Sequence, residues 1–176
     1  VITAKSAGFC FGVKRAVDTV YKQAAEKKGP IYTYGPIIHN EEVVKDLEEK
    51  GVRVVSAKEA LKNCKGGTVI IRSHGVSKEI YDILEKNGVE YVDATCPFVL
   101  KIHRLVEKYT ADGYHVVIIG NDSHPEVEGI KGWGKKEQIS VISSREEAEN
   151  FRLEEGKKLC VVSQTTFHNN KFKELV

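Results

Sequence analysis

No stretch of this chain is apolar for long enough to cross a bilayer, since none approaches the roughly 20 residues that a spanning helix needs. No charged-then-apolar leader opens it either, so the expectation is a soluble, cytoplasmic protein. A surplus of charge is missing too, with 27 Lys and Arg against 25 Asp and Glu and no dense basic block. Bulk electrostatics therefore give no reason to expect nucleic acid or a membrane surface as a partner. Short runs such as Glu26-Lys27-Lys28 read as solvated helix faces. Four cysteines, Cys10, Cys64, Cys96 and Cys160, are too few and too dispersed for a disulfide scaffold, which leaves metal binding or catalysis as the better role. The chain has no internal repeat and no low-complexity segment. Methionine is absent, an initiator included, which points to processing or editing. The last residues, Lys171 to Val176, stop inside a helical pattern without a C-cap signal, so the chain is expected to be part of a longer one.

What is present is ample for folding: 176 residues at 41% hydrophobic content make one ordinary domain or two small ones. The organising stretch is Asp93-Ala94-Thr95-Cys96-Pro97-Phe98-Val99. It follows the apolar run Val89 to Val92 and opens a helical pattern in which Phe98, Ile102, Leu105, Val106 and Tyr109 share a face. Pro97 suits a first helical turn, which puts Cys96 at or beside the N-cap. A thiol there meets the positive end of the helix dipole and unpaired backbone N–H groups, a setting suited to ligating a metal or attacking an electrophile. The competing reading is an ordinary buried cysteine.

Elsewhere strands and helices alternate. The pattern predicts a strand over 1–5, a helix over 13–28, and strands at 31–35, 52–55, 68–71, 115–119, 139–142 and 158–162. Helices are expected near 41–50, 57–63, 78–87, 126–131 and 144–151, with Asn40 and Ser77 as caps and Gly88 as a stop. Such alternation argues for α/β architecture with parallel sheets, in two similar three-layer α/β/α units because the pattern restarts after about residue 97. In open parallel sheets ligands bind beyond the carboxyl ends of the strands. Cys10, His39, His74, Cys96, His124 with Glu126, and Gln164-Thr165 each follow an apolar strand and precede a helix. The three histidines, with Ser73, Thr165 and the helix N-termini, suit a phosphate or diphosphate. Imidazoles also bind zinc, although no close CxxC or HxxxH spacing is present. Glu126, in the first turn of its helix, suits a proton donor or relay; a dipole-compensating carboxylate is the competing reading. His103 and His115 read as structural or surface residues, and His168 is uncommitted.

Six segments are Ala7-Gly8-Phe9-Cys10-Phe11-Gly12-Val13, Gly35-Pro36-Ile37-Ile38-His39-Asn40, Arg72-Ser73-His74-Gly75-Val76, Asp93-Ala94-Thr95-Cys96-Pro97, His124-Pro125-Glu126-Val127-Glu128-Gly129 and Ser163-Gln164-Thr165-Thr166. In this order they resemble the 4-hydroxy-3-methylbut-2-enyl diphosphate reductase family, also called LytB, which catalyses the last step of the methylerythritol phosphate route to isoprenoids. The resemblance implies a monomeric reductase that holds a [4Fe-4S] cluster on three cysteines, with one iron open to the substrate hydroxyl. It removes that hydroxyl as water to give isopentenyl and dimethylallyl diphosphate, with electrons from ferredoxin or flavodoxin. By position, Cys10 and Cys96 match two cluster ligands. His39, His74 and His124 match residues around the diphosphate substrate, Glu126 the proton-delivering acid, and Thr165 an active-site hydroxyl.

The family also implies a third α/β unit with a third cluster cysteine, missing from this chain. The expected domains are residues 1–12, a strand and Cys10 loop that pack with that unit; 13–96, the first unit; and 97–176, the second. Cys64, in a Lys62-Asn63-Cys64-Lys65-Gly66-Gly67 loop, and Cys160, in a strand pattern, match no family motif, and Cys160 reads as core. Three readings are open: the reductase, a diphosphate-binding fragment without a stable cluster, and a zinc hydrolase on the His and Cys positions, which would be colourless and air-stable.

Overall fold

The computed structural model describes every residue except Val1, Thr3, Lys5, Ser6, Lys27 and Lys28. The strand expected over 1–5 therefore lies outside the described residues, as does the end of the helix expected over 13–28. The chain divides into two compact units. One comprises the residues up to Ser73 together with Asp82–Pro97; the other comprises His74–Tyr81 and Phe98–Val176. The division expected between Cys96 and Pro97 thus falls one residue later, and residues 74–81 go with the second unit. The reason is local packing: Lys78 N–H donates to Gly132 O, and the Trp133 indole N–H donates to Val76 O at 2.8 Å.

In the first unit, α1 (Phe11–Glu26) precedes β1 (Ile31–Tyr34), α2 (Glu41–Glu49), β2 (Val52–Val55), a 3-10 helix (Lys58–Cys64), β3 (Thr68–Ile71), α3 (Lys78–Lys86) and β4 (Glu90–Asp93). The first turn of α3 counts with the second unit. The four strands are parallel in the order β2-β1-β3-β4, and central β3 is buried at every position. The β-branched run Thr68-Val69-Ile70-Ile71 suits a strand covered on both faces. Ala16, Val17 and Val20, at helical spacing on α1, bury against Ile31, Ile37, Leu47, Val52 and Ile70. Asn40 caps α2 by accepting from Val43 N–H at 3.0 Å. Gly88, at φ +62°, ends α3 as Val89 N–H reaches back to Leu84 O.

The second unit holds α4 (Pro97–Ala111) from its second residue on, β5 (His115–Ile119), α5 (Pro125–Lys131), β6 (Ile139–Ile142), α6 (Arg145–Asn150), β7 (Leu159–Ser163) and α7 (Asn169–Leu175). Its strands are parallel in the order β6-β5-β7. Val106, Val116, Ile118, Val127, Ile130 and Val162 form one side of its core. Along α4 the buried stripe is Val99, His103, Val106 and Thr110, whereas Phe98, expected on the core face, is 66% exposed. His103 takes the structural of its two expected roles, 1% exposed and stacked on Trp133 at 4.9 Å. His115 is structural, with Nε2 2.9 Å from Ser140 Oγ.

Candidate functional site

In the second sheet the chain leaves β5 on one side to form β6 and returns on the other to form β7, so the connections that follow β5 and β7 run to opposite faces of the sheet. Between them lies the crevice where open α/β sheets bind ligands. Two close approaches shape it. Gly120 follows β5 where a Cβ would lie 3.0 Å from that of Gln164 and 2.9 Å from Val127 Cγ2, so any side chain there would have to displace a neighbour. The buried Gln164 then ties the two strand ends together, accepting from Asn121 N–H at 3.2 Å and donating to Thr166 Oγ1 at 2.9 Å.

Glu126 and Thr165 meet in this crevice. Glu126 sits in the first turn of α5 and is only 2% exposed. Thr165 donates to both of its oxygens, N–H to Oε1 at 2.6 Å and Oγ1 to Oε2 at 2.8 Å. Burial pushes the carboxyl above the ordinary glutamate range, against the opposite pull of the two Thr165 hydrogen bonds. A hydroxyl donates to a carboxylate and accepts from a carboxylic acid, so the contact with Oγ1 serves both protonation states.

His124 caps α5: its Nδ1 accepts from Glu126 N–H at 3.1 Å, which assigns the ring proton to Nε2. The His74 ring meets His124 edge to face at a centroid distance of 5.7 Å. The 74–77 segment is seated by α5, where a Cβ on Gly129 would lie 3.4 Å from the Gly75 backbone and one on Gly132 would collide with Ser77. Trp133 adds its hydrogen bond to Val76 O.

The first unit carries the two candidate thiols. Cys10 is the N-cap of α1, its carbonyl accepting from Lys14 N–H at 2.9 Å, and it is exposed. Cys96 directly precedes Pro97 at the start of α4 and is half-buried, its N–H bonded to Ser73 O at 2.9 Å. Gly12 brings α1 against that thiol, since a Cβ there would lie 2.5 Å from Cys96 Sγ. His39 also belongs to this unit, exposed just beyond β1, and Ser73 Oγ ties its loop to the end of β3 by donating to Ile37 O at 3.1 Å. Cys64 is not in an open loop; it ends the 3-10 helix, buried. Burial raises both the Cys64 and the Cys160 thiols above their ordinary range, which disfavours the thiolate that a metal requires.

The structure thus pairs Glu126 with Thr165 and His74 with His124, and sets Cys96 against the start of the Cys10 helix. Two residues that sequence reasoning passed over help to hold these groups. Trp133 seats the segment after His74, and Arg15 bonds the two carbonyls flanking Ala94. Trp133 is the sole tryptophan in the chain, which could have drawn attention to it; Arg15 sits among ordinary helix charges and gives no such sign.

Gly12 carries a prediction of its own. Gly12→Ala should displace the Cys96 thiol or the first turn of α1, at the ~1–3 kcal/mol typical of overpacking. Urea unfolding together with the alkylation rate of Cys96 in metal-free protein checks this; unchanged values would mean that the contact yields freely.

Parallel sheets with polar side chains gathered beyond the strand ends define an α/β protein of the open-sheet class, the class in which ligands bind at that edge. The profile of the LytB protein family matches residues 1–176, and the chain belongs to that family. It is 49% identical over 177 residues to the 4-hydroxy-3-methylbut-2-enyl diphosphate reductase of Caldanaerobacter subterraneus subsp. tengcongensis, a match that covers 100% of this chain and 60% of that protein. Among solved structures, it superimposes with a TM-score of 0.89 on the E-1-hydroxy-2-methyl-but-2-enyl-4-diphosphate reductase of Plasmodium falciparum, at 30% identity over 97% of this chain and 54% of that one. A second, described as (E)-4-hydroxy-3-methyl-but-2-enyl diphosphate reductase, the terminal enzyme of the non-mevalonate pathway, gives 0.80 at 40% identity over 100% of this chain and 62% of that one. The chain therefore spans about 60% of the length of the curated relative, and no helix among the described residues is long and apolar enough to cross a membrane.

Proposed function

We propose that this chain carries the proton-delivery and diphosphate-binding groups and two thiolate ligands of an iron–sulfur reductase that acts on 4-hydroxy-3-methylbut-2-enyl diphosphate. In that reaction the carbon–oxygen bond to the hydroxyl breaks, a carbon–hydrogen bond forms, and two electrons with two protons release water and leave isopentenyl or dimethylallyl diphosphate. The observation that carries the reading is the buried Glu126, held through both oxygens by Thr165 at a strand switch point. A carboxyl whose ionisation burial disfavours, bonded to a hydroxyl that can both take and give a proton, is equipped to deliver protons in a site shut off from water.

Cys10 and Cys96 fit as cluster ligands: both stand at helix N-termini, and glycine at position 12 makes room for the second. A [4Fe-4S] cluster bound there would supply electrons and a Lewis-acidic iron at the substrate hydroxyl. The chain's own groups do the rest. His124, with Nδ1 bonded to its own helix, presents Nε2–H as a donor; with His74 and His39 it serves the diphosphate. Thr165 passes the proton from Glu126. A ferredoxin or flavodoxin in the cytoplasm is the proposed electron source for the monomeric enzyme.

The raised Cys64 and Cys160 thiols favour a second outcome for this chain by itself, diphosphate binding without a stable cluster. Iron and acid-labile sulfide per chain after purification without air, with a turnover assay using a chemical one-electron reductant, tests the proposal. A brown, air-bleached protein that releases isopentenyl and dimethylallyl diphosphate supports the reductase. Diphosphate binding by calorimetry with negligible iron supports the second outcome, and a colourless, air-stable hydrolytic activity would sink both.

Thr165 offers a separate check. Thr165→Val leaves Glu126 Oε2 buried without its hydroxyl partner and should lower turnover by at least ~10-fold, the cost of a hydrogen bond to a charged group. Thr165→Ser should restore it, as measured by the steady-state rate at saturating substrate.

A further inference from the structure

The geometry points to Arg15 as a positioning residue that holds the Cys96 thiol against the start of α1, the helix capped by Cys10. The inference rests on the reading above that both thiols ligate one group. Arg15 lies just over one turn into α1. Its Nη1 donates to Thr95 O at 2.9 Å and its Nη2 to Asp93 O at 3.2 Å, so a single planar fork bonds two carbonyls of the segment that delivers Cys96. The amides of that segment are held by the strand ends and by Asp93: Ala94 N–H to Ile71 O, Thr95 N–H to Asp93 Oδ1 at 2.8 Å, and Cys96 N–H to Ser73 O.

Those amide bonds fix the segment to β3 and β4, whereas Arg15 fixes it to α1. The Thr95 hydroxyl does not help, because Oγ1 is fully buried and has no hydrogen-bond partner among the described residues. The tie matters because the two thiols reach the site on different elements, Cys10 on α1 and Cys96 on the turn after β4. Gly12 permits the close approach of α1 to the Cys96 thiol without enforcing it; the guanidinium enforces it. Lysine at position 15 would keep the charge but lack the planar fork that holds two carbonyls in one fixed geometry.

The test follows the alkylation rate of Cys96 and the exchange of the Thr95 and Cys96 amides in metal-free protein, read by peptide mass mapping. Iron and sulfide content, with the spin-resonance signal of the reduced protein purified without air, is measured in parallel. Arg15→Ala should speed Cys96 alkylation and local amide exchange by about tenfold, the equivalent of one lost hydrogen bond to a charged group. The amides of β5, the circular dichroism spectrum and the melting temperature should stay near the parent values. Arg15→Lys should fall between, and it carries the comparison if the alanine variant does not fold. Lys14→Ala, which breaks only the exposed pair with Asp18, should match the parent.

Unchanged Cys96 reactivity in a folded Arg15 variant overturns the inference. So does loosening spread equally over β5, which would mark a general structural role. The cluster reading fails separately: a parent protein without iron whose Cys96 still depends on Arg15 loses the cluster and keeps the positioning role, and an iron-loaded parent indifferent to Arg15 does the reverse.

Discussion

Glu126→Gln is expected to cut turnover by 10²-fold or more, the lower end of what a positioned general acid contributes (about 10²–10⁴), while leaving iron content and the fold intact. The substitution is close to isosteric. A glutamine Oε1 still accepts from Thr165 N–H, and its amide can donate to Thr165 Oγ1, so the two bonds that seat the carboxyl survive. Only the transferable proton is lost. The sign of the pH effect follows from burial, which raises the folded-state value above that of the unfolded chain. The stabilising contribution of the protonated group is fully present below the unfolded value and is lost as pH rises through the folded one. The glutamine variant should therefore melt at the same temperature as the parent, or higher, at alkaline pH, and its advantage should vanish in acid. The parent's rate should fall as pH rises through the raised value, and this limb should be absent from the variant. Melting curves and kcat profiles across pH check both halves; a variant with unchanged turnover would remove Glu126 from proton delivery.

The strand ladder was legible because each strand is a β-branched or apolar run bounded by turn residues. Val52–Val55, Thr68–Ile71, His115–Ile119 and Ile139–Ile142 stand where the alternation placed them, and the parallel sheets follow from the helices between. Helix phase was harder to read. On α4, apolar residues occupy most of the first two turns, so a 3.6-residue period fits more than one face. Burial went to a stripe that includes His103 and Thr110, because Trp133 stacks on one and the other bonds back to Val106 O. Cys64 looked like a loop residue because Lys, Asn and Gly surround it, yet its spacing from Leu61 suits a 3-10 turn with both side chains inward.

The candidate site was legible as residue types at strand ends and illegible as partnerships. Sequence places Glu126 in a first helical turn, where compensating the dipole would explain it. Only the fold brings Thr165 onto both of its oxygens, and a dipole role does not account for a carboxylate that is 2% exposed. Arg15 is the harder case, since nothing local separates it from Lys14. The difference appears only where the chain returns, some 80 positions later, with two carbonyls in reach of the guanidinium. Hydrogen bonds across such separations leave no periodic trace.

Cys96→Ala is expected to abolish the cluster: iron and sulfide near zero, no brown absorbance, and turnover reduced by more than the roughly 10–100-fold that losing an outer-shell partner costs a metal site. The fold should survive. Cys96 is half-buried, and its segment is held by main-chain bonds to Ser73 and Ile71 and by Arg15, none of which uses the thiol. The stability change should therefore stay within about 1 kcal/mol, the ordinary range for a side chain outside a packed core. Cys64→Ala gives the opposite pattern. The residue is 2% exposed, and among the described residues its thiol bonds Ala60 O at 3.7 Å, so its loss should lower the urea midpoint and spare the iron. The two variants separate a ligand from a packing residue by independent readouts, iron content for one and unfolding for the other. Full iron in Cys96→Ala would end the assignment of that thiol as a ligand. Iron lost in Cys64→Ala without a matching loss of stability would move the assignment to the buried cysteine, and burial would then have to be relieved before its thiolate could form.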